Sequence, residues 1–313
     1  MSAESFARVV RLIGVPTDVG AGARGASMGP EALRVAGLAQ ALRARGLIVH
    51  DDGNLAGPPN PWQPPVDGYR HLPEVLAWNV AVRDAVACAL RAHELPIVMG
   101  GDHSLAIGSI AAVAEHCRRC QKSLRVLWLD AHADFNTNAI TPSGNIHGMP
   151  VATLLGHGAA ALVNLIDPPP AITAAQIVLI GIRSVDPQEK RFVHEQGLEV
   201  FDMRSIDELG MRTVMESALA GLDEDTHLHV SLDVDFLDPE IAPGVATTVP
   251  GGPTYREAQL CMEMIADTGR LGSLDVMELN PAFDMKNRTA LLAVDLIESL
   301  FGKSTLMRRS EGV

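Results

Sequence analysis

The chain has 313 residues, of which 47% are hydrophobic and 4% aromatic, and its formal net charge is −13 at pH 7. This charge argues against nucleic acid or an anionic membrane as the main partner, because both repel an acidic protein. No apolar stretch approaches the roughly 20 residues that span a bilayer, and residues 1–16 contain no secretory pattern. The cysteines are too few for a disulfide framework. We therefore expect a cytoplasmic protein.

Short apolar segments alternate with amphipathic ones along the whole chain. The apolar segments predict eight strands, at 9–15, 47–52, 96–101, 124–130, 176–183, 198–202, 227–235 and 271–279. The amphipathic segments predict helices, among them 30–46, 74–93 and 254–269. Strands that are apolar on both faces and alternate with helices indicate a parallel sheet covered on both sides. We predict one α/β domain over residues 1–313, with three α/β/α layers and a mostly parallel eight-stranded sheet.

The remaining segments carry weaker signals. Two proline-rich segments, 53–73 and 164–172, predict surface loops. Cys117 and Cys120 form a C-x-x-C pair inside a predicted helix, and no second pair completes a zinc site, so we expect structural thiols. Near the C-terminus, the Arg308-Arg309 pair predicts an exposed basic tail, with a subunit contact as the alternative.

Side chains that bind metals follow three of the predicted strands where those strands end. Asp130, His132 and Asp134 end one strand, and Asp233 and Asp235 end another. A third strand ends in Gly100-Gly101, which Asp102 and His103 follow. Four of these carboxylates and both imidazoles make six candidate ligands. Alternate residues of an extended segment face the same way, so each group can point at one spot. The carboxyl ends of parallel strands also meet at one edge of the sheet. So many carboxylates together repel one another unless cations lie among them.

The types of ligand narrow the choice of metal. Six nitrogen and oxygen ligands are too many for one tetrahedral zinc ion, and mixed carboxylate and imidazole ligation favours manganese or another hard divalent ion. Carboxylates that can each touch two ions indicate a two-metal site, with the ions roughly 3.5–4 Å apart. Such a pair can lower the pKa of a bridging water enough to supply hydroxide near neutral pH. A structural role in turns explains single Asp residues but not the whole set.

A glycine-rich motif offers a different function. Gly20, Gly22 and Gly25 form a G-x-G-x-x-G between a predicted strand and a predicted helix, which is the outline of a dinucleotide-binding fingerprint. However, the first glycine lies well past the strand end, and the helix begins only around Pro30. In the true motif the amides at the start of the helix face the pyrophosphate. We prefer a glycine-rich loop at the rim of an active site, with a nicotinamide-dependent oxidoreductase as an alternative.

Six motifs resemble those of the ureohydrolase family, and within it those of the bacterial arginases. They occur in the family's order: GGDHS (100–104), DAHADFNT (130–137), SGNIHG (143–148), SLDVDFLDP (231–239), GGPTYRE (251–257) and MELNP (277–281). Nearly the whole chain is covered, so the resemblance implies the family's fold and activity. That activity is manganese-dependent hydrolysis of the L-arginine guanidinium group to L-ornithine and urea by a metal-bridging hydroxide. The resemblance also implies a homo-oligomer, a trimer or hexamer.

The same resemblance implies two Mn²⁺ per chain. One ion would be held by His103, Asp130, Asp134 and Asp233. The other would be held by His132, Asp130, Asp233 and Asp235. Two of these carboxylates, Asp130 and Asp233, would bridge the ions, in agreement with the sharing inferred from the residues alone.

Catalytic roles follow from the resemblance in the same way. Asp134 would shuttle a proton to the leaving amine, because an amide anion does not leave unprotonated. His147 would relay protons to solvent. Glu278 would pair with the guanidinium group through both carboxylate oxygens, with Thr247 hydrogen-bonded nearby.

Substrate choice is implied by four further positions. Asn136 and Ser143 match contacts to the α-carboxylate, and Asp186, supported by Glu189, matches the contact to the α-amino group. These residues favour L-arginine, whereas an agmatinase or guanidinobutyrase is the alternative within the family. A non-catalytic protein that keeps the fold is a further alternative, disfavoured by the complete ligand set.

Three positions depart from the commoner family pattern. Asn138 and Thr248 stand where many relatives have Pro, and Ser184 stands where many have Asp or Glu. All three flank proposed contacts, so we expect them to affect KM and loop rigidity rather than the reaction.

Overall fold

The computed structural model describes residues 8–306, and the Arg308-Arg309 pair lies outside this range. The strands are β1 Val9–Gly14, β2 Ile48–Asn54, β3 Leu95–Met99, β4 Ser123–Leu129, β5 Ile177–Ile182, β6 Glu199–Asp202, β7 Thr226–Asp233 and β8 Leu271–Met277. The α-helices are α1 Gly29–Val35, α2 Leu38–Ala44, α3 Leu72–Arg91, α4 Ala106–Cys120, α5 Pro150–Leu154, α6 Ala160–Val163, α7 Pro187–Glu195, α8 Met203–Leu209, α9 Met211–Ala218, α10 Tyr255–Asp267 and α11 Arg288–Leu300.

The strands form one eight-stranded sheet in the order β2-β1-β3-β8-β7-β4-β5-β6, and all the strand pairs are parallel. The predicted strands and the parallel sheet are therefore confirmed. Consecutive residues of a strand face opposite sides of the sheet. Accordingly, Leu127 packs into a core on one side of β4, and Trp128 packs into a second core on the other.

Helices cover both faces, which confirms the three-layer architecture. The first core includes residues of α1, α2, α9, α10 and α11, such as Leu33, Val214 and Cys261. The second includes residues of α3, α4, α5 and α6, such as Val82 and Ile110. Burial of these apolar faces removes them from water and provides the main driving force for this packing.

One predicted helix is interrupted in the structure. Segment 30–46 forms two helices, because Gly37 has φ 88° and so cannot continue a right-handed helix. The predicted helices at 74–93 and 254–269 are present as α3 and α10, with ends shifted by one or two residues. Cys117 and Cys120 lie in α4 as free thiols.

The sheet order brings the predicted site together. Strands β3, β8, β7 and β4 are neighbours, so the residues that follow their carboxyl ends meet at one edge. Two of these residues, Asp134 and Glu278, have positive φ values of 49° and 62° although neither is glycine. Such strained backbone is concentrated at functional sites, where the surrounding structure holds it in place.

Among residues 8–306, no helix combines the length and the apolar character needed to cross a membrane.

Candidate functional site

The first group of potential metal ligands surrounds His103, in the turn that follows β3. Its Nδ1 atom lies 3.1 Å from Asp130 Oδ2, 3.1 Å from Asp233 Oδ2 and 3.5 Å from Asp134 Oδ2. Its other ring nitrogen, Nε2, lies 2.9 Å from the hydroxyl oxygen of Ser231. Three carboxylates from two different strand ends therefore converge on one imidazole nitrogen.

This arrangement fits a bound cation. An imidazole that ligates a metal carries its proton on the other nitrogen, where a hydrogen bond fixes the tautomer. The Ser231 hydroxyl oxygen can accept a hydrogen bond from an Nε2–H of His103. Nδ1 then presents a lone pair to three carboxylates, which is repulsive unless a positive charge lies between them.

The second group surrounds His132, at the end of β4. Its Nδ1 atom lies 3.0 Å from Asp235 Oδ2 and 3.6 Å from Asp130 Oδ1. Asp130 thus turns one carboxylate oxygen toward each histidine, which is the geometry of a ligand shared by two ions. Asp233 differs, because its Oδ1 accepts the Asp235 backbone N–H at 2.7 Å and only Oδ2 faces the first group.

The carboxylates of the first group repel one another. Burial and the Asp130 charge hold the pKa of Asp134 well above its ordinary value. Burial, together with the charges of Asp235 and Asp130, raises the pKa of Asp233 in the same way. Burial and mutual repulsion therefore oppose the ionisation of these acids together, and divalent cations bound among them would offset that repulsion.

The second group shows the same need for positive charge at His132. Burial lowers the pKa of this imidazole, but hydrogen bonds to the carboxylates of Asp130 and Asp235 outweigh burial and raise the pKa to about 12. A divalent cation at this position would replace the proton that the carboxylates attract.

Two buried residues that support the ligands are absent from the sequence-based predictions. The Trp128 ring stacks on His103 with centroids 4.0 Å apart, and its Nε1–H donates to Asp130 Oδ2 at 2.9 Å. Ser231 binds His103 on the other side. Trp128 and Ser231 each precede a proposed ligand by two residues and so share its face of the strand. The same period-two pattern could have identified both.

A cavity of about 250 Å³ opens beside the two groups. It is lined by His132, Asp134, Asn136, Thr141, Pro142, Ser143, Asn145, His147, Gly148, Ser184, Asp186, Glu189, Asp233, Thr247 and Glu278. All the predicted substrate and catalytic residues are in this set. The predicted ligands His103, Asp130 and Asp235 do not line it; they are buried beneath its floor.

One wall of the cavity joins the β4 loop to the start of α7. Asn136 Nδ2 donates to Asp186 Oδ2 at 3.1 Å, and Asn136 Oδ1 is buried without a hydrogen-bond partner among the described residues. Glu189 holds both segments, because its carboxylate accepts the Phe135 N–H at 2.8 Å and the Asp186 N–H at 3.0 Å. Burial raises the pKa of Glu189. Glu189 is thus placed to hold Asp186 in position.

The loop that contains Ser143 forms another part of the cavity lining. The Ser143 hydroxyl oxygen accepts the Asn145 N–H at 3.2 Å, and the Thr141 hydroxyl oxygen accepts the Gly144 N–H at 3.1 Å. Thr141 and Asn145 line the cavity but are absent from the sequence-based predictions. Their only signal in the sequence is that they flank Ser143, so the folded loop was needed to identify them.

Glu278 lies at the inner end of the cavity. Its Oε1 atom accepts the His103 backbone N–H at 2.9 Å and lies 2.9 Å from His147 Nδ1. Its Oε2 atom is buried and has no hydrogen-bond partner within residues 8–306. Burial would raise the pKa of Glu278, but the charge and hydrogen bond of His147 lower it overall. Glu278 therefore presents an ionised oxygen to the cavity.

Thr247 and the three positions that depart from the family pattern, Asn138, Ser184 and Thr248, differ in their surroundings. The Thr247 hydroxyl donates to Asp235 Oδ2 at 3.0 Å, so it contacts a potential ligand directly. Asn138 Nδ2 donates to the Asp67 carbonyl oxygen at 3.2 Å and ties the cavity wall to the 53–73 loop. Ser184 pairs with His132 in a short parallel bridge, whereas Thr248 is exposed.

Known proteins are similar to this chain in sequence and fold. The model of the arginase family matches residues 8–302. Arginase of Bacillus subtilis strain 168 is 44% identical over 300 residues, which cover 96% of this chain and 99% of that protein. Arginase of Brucella melitensis biotype 1 is 45% identical over 305 residues, 95% of this chain and 97% of that protein. The native structure of arginase from Bacillus caldovelox at pH 5.6 superposes with a TM-score of 0.90 at 42% identity, covering 96% of this chain and 100% of that one. The chain therefore belongs to the arginase family.

Proposed function

We propose that this protein is an arginase that binds two Mn²⁺ per chain and hydrolyses L-arginine to L-ornithine and urea. The observation that carries the proposal is the environment of Glu278. This carboxylate is buried, and one of its oxygens has no partner among the described residues. It faces a cavity that Asp134 and His132, one from each ligand group, also border. A free carboxylate oxygen in such a cavity suits a planar cation such as guanidinium.

The donor set described above would hold the ions, with Asp130 shared between them. When bound, the two ions supply Lewis acidity and lower the pKa of water, so that hydroxide is available near neutral pH. Guanidinium requires this help, because its resonance stabilisation makes it resistant to neutral water. The remaining work of binding, orientation and proton transfer falls to side chains of this chain.

Glu278 would bind and orient the guanidinium group. In this structure Oε1 is held by the His103 N–H and by His147, which leaves Oε2 as the contact for the substrate. Pairing through both oxygens requires His147 to release Oε1. We therefore propose that substrate binding separates His147 from Glu278 and frees the imidazole to carry protons.

Asp134 and His147 would handle the protons. Asp134 borders the cavity beside the ligand groups, and its backbone carbonyl accepts the Val151 N–H at 3.0 Å, which fixes the turn. From there its carboxyl group can protonate the departing amine. The His147 side chain is 17% exposed, in contrast to the buried Glu278 beside it. This partial exposure supports a role in proton exchange with solvent.

The outer walls would recognise the α-carbon substituents of L-arginine. Asp186 offers a negative charge to the α-ammonium group, and the hydroxyls of Ser143 and Thr141 offer donors to the α-carboxylate. The unpaired Asn136 Oδ1 is an acceptor next to Asp186, so it supports the contact to the α-ammonium group, because buried polar atoms normally have partners. Agmatine lacks the α-carboxylate and would leave the Ser143 and Thr141 hydroxyls without this partner.

A substrate panel tests the proposal. Urea release is measured from L-arginine, agmatine and 4-guanidinobutyrate with protein stripped by chelator and reloaded with Mn²⁺. We expect kcat/KM for L-arginine to exceed the other two values by at least about 100-fold, because unpaired polar groups penalise the wrong substrate. Glu278→Gln is the matched control, since it keeps the shape and should bind Mn²⁺ without releasing urea. Equal rates on agmatine would replace the arginase assignment by an agmatinase.

The proposal also includes a cytoplasmic homo-oligomer, a trimer or hexamer, of a single domain spanning residues 1–313. Light scattering after size-exclusion chromatography measures the mass directly. A monomeric mass of 33.3 kDa at assay concentrations would contradict this assembly.

A further inference from the structure

The glycine-rich loop, residues 17–25, contacts three segments that carry proposed functional residues. Gly20 N–H donates to Asp102 Oδ2 at 2.9 Å, directly before His103. The carbonyl oxygen of Gly20 accepts the backbone N–H of His147 at 3.1 Å. At the end of the loop, the Arg24 carbonyl oxygen accepts Asn280 Nδ2 at 3.0 Å, two residues after Glu278.

We infer that this loop is a positioning element, which holds the segments of His103, His147 and Glu278 in fixed relation. Its glycines are required because a side chain at these positions would displace the residues that hold or surround the substrate and metals. This inference rests on the proposed function.

Gly20 lies against the segment of His103. A Cβ atom at this position would be 2.4 Å from Asp102 Oδ1 and 2.5 Å from Ser104 Oγ. Both side chains are fully buried, and both the N–H and the hydroxyl of Ser104 donate to Asp102 Oδ1. Neither can move aside without breaking these bonds, so His103, which lies between them in the chain, would move as well.

Gly22 and Gly25 lie against the other two segments. A Cβ atom on Gly22 would be 2.6 Å from Asn145 Nδ2. Asn145 lines the cavity, so a displacement of its side chain by an added Cβ changes the cavity wall. A Cβ atom on Gly25 would be 2.2 Å from Asn280 Oδ1, and Gly25 has φ 121°, a conformation that other residues rarely adopt.

Further hydrogen bonds hold the glycine-rich loop in place, so the loop cannot move away from these contacts without breaking them. Asp18 Oδ2 accepts the Gly25 N–H at 3.0 Å and closes the loop on itself. Asn60 Nδ2 donates to the Asp18 carbonyl oxygen at 3.0 Å, and His71 Nδ1 lies 2.8 Å from the Val19 carbonyl oxygen. The proline-rich 53–73 segment therefore braces the outer side of the glycine-rich loop.

This packing also accounts for the misleading dinucleotide-binding pattern. The space next to the glycines is filled by the side chains of Asp102, Asn145 and Asn280, whereas a dinucleotide-binding loop leaves it to a pyrophosphate. Helix α1 begins at Gly29, four residues beyond the last glycine of the motif, whereas the motif places its glycines at the turn into the helix.

Two single substitutions should damage different properties. Gly20→Ala should raise the Kd of one of the two Mn²⁺ by about 10–100-fold, because loss of a group that orients a ligand has an effect of this size. Gly22→Ala should leave Mn²⁺ binding within about twofold of wild type and raise KM for L-arginine about tenfold, because it moves a residue of the substrate wall. Isothermal titration with Mn²⁺ and steady-state kinetics give the two readouts.

Gly46→Ala is the matched control. Gly46 has φ 83° and no atom within 4 Å of an added Cβ, so alanine there strains the backbone without touching the site. It should lower Tm and leave both readouts unchanged. If Gly20→Ala and Gly22→Ala lower Tm as Gly46→Ala does and likewise leave Mn²⁺ affinity and KM unchanged, the positioning role is wrong.

A double-mutant cycle with Asn145→Ala tests the inference even where Gly20→Ala is too unstable to purify. Asn145→Ala removes the side chain that Gly22→Ala displaces, so Gly22→Ala should raise KM much less in that background. An equal rise in both backgrounds would overturn the proposed contact. Failure of the proposed function is a separate result, because it appears as absence of urea release by the wild type, whereas the Mn²⁺ titration needs no substrate.

Discussion

Ser231→Ala should change metal binding at the His103 group and leave the His132 group unchanged, whereas removal of a shared ligand would change both. The Ser231 hydroxyl lies 2.9 Å from His103 Nε2, and both residues are buried. No hydrogen bond or ion pair joins it to His132, the imidazole of the other group. The change removes one oxygen atom and leaves every proposed ligand in place. It should therefore weaken one bound ion selectively.

The magnitude follows from the geometry around His103. Without the hydroxyl, the Nε2–H is a buried donor with no acceptor, which costs about 1–3 kcal/mol. The imidazole can avoid this cost by moving its proton to Nδ1, where oxygens of Asp130 and Asp233 lie at 3.1 Å. A protonated Nδ1 cannot bind a cation. Either outcome weakens the ion at His103, and about 1.4–2.8 kcal/mol corresponds to about 10–100-fold in Kd.

Isothermal titration of chelator-stripped protein with Mn²⁺ measures both binding steps. One Kd should rise by about 10–100-fold, and the other should stay within about threefold. Ser273→Ala is the control, because the Ser273 hydroxyl is buried between strands β7 and β8 and is bonded to His227 and His229. It should lower stability and leave both Kd values unchanged. Equal weakening of both steps in Ser231→Ala, or the same effect from Ser273→Ala, would refute this reasoning.

Three other variants test separate parts of the account. Asp130→Asn removes the charge shared by both ligand groups and should reduce bound Mn²⁺, counted by atomic emission, from two per chain to fewer than one; retention of two ions would mean that the bridge is misassigned. Asp186→Ala should raise KM for L-arginine about 10–100-fold with little change in kcat, and a matching fall in kcat would place Asp186 in the chemical step. Burial, with the charges of His229, His116, Lys122 and Arg8, lowers the pKa of His227 to about 3. The unfolded chain, in which the histidine pKa is about 6.5, therefore binds a proton at a higher pH than the folded protein does. The stability that neutral His227 contributes is complete above a pH of about 6.5 and is lost as the pH falls toward about 3. Between pH 7 and pH 5 the wild type should therefore lose about 2 kcal/mol more than His227→Gln in urea denaturation, whereas parallel pH curves would contradict the lowered pKa.

Much of the fold could be predicted because its signals are local. Each strand of this parallel sheet is a short apolar run, and β5, IVLIGI, is buried at every residue. Such runs can be recognised without knowing their neighbours. The break between α1 and α2 was not predictable in the same way, since the apolar spacing of 30–46 continues through Gly37. Only the backbone conformation at Gly37 divides that segment.

The site was predictable where ligands repeat within one strand end. Asp130, His132 and Asp134 show their common direction in the sequence, because side chains alternate along an extended segment. The contact between His147 and Glu278 joins residues 131 positions apart, and no local pattern predicts it. The roles of the glycine-rich loop also depend on such distant contacts, which is why its local pattern points to a different function.

We propose that two ions bound to this donor set support hydrolysis of L-arginine. The most direct measurement adds Mn²⁺ stepwise to chelator-stripped protein and follows urea and L-ornithine together. We expect equal amounts of the two products, and a rate that rises until two equivalents per chain are bound and then stays constant. A rate that saturates at one equivalent, or full activity without added metal, would contradict it.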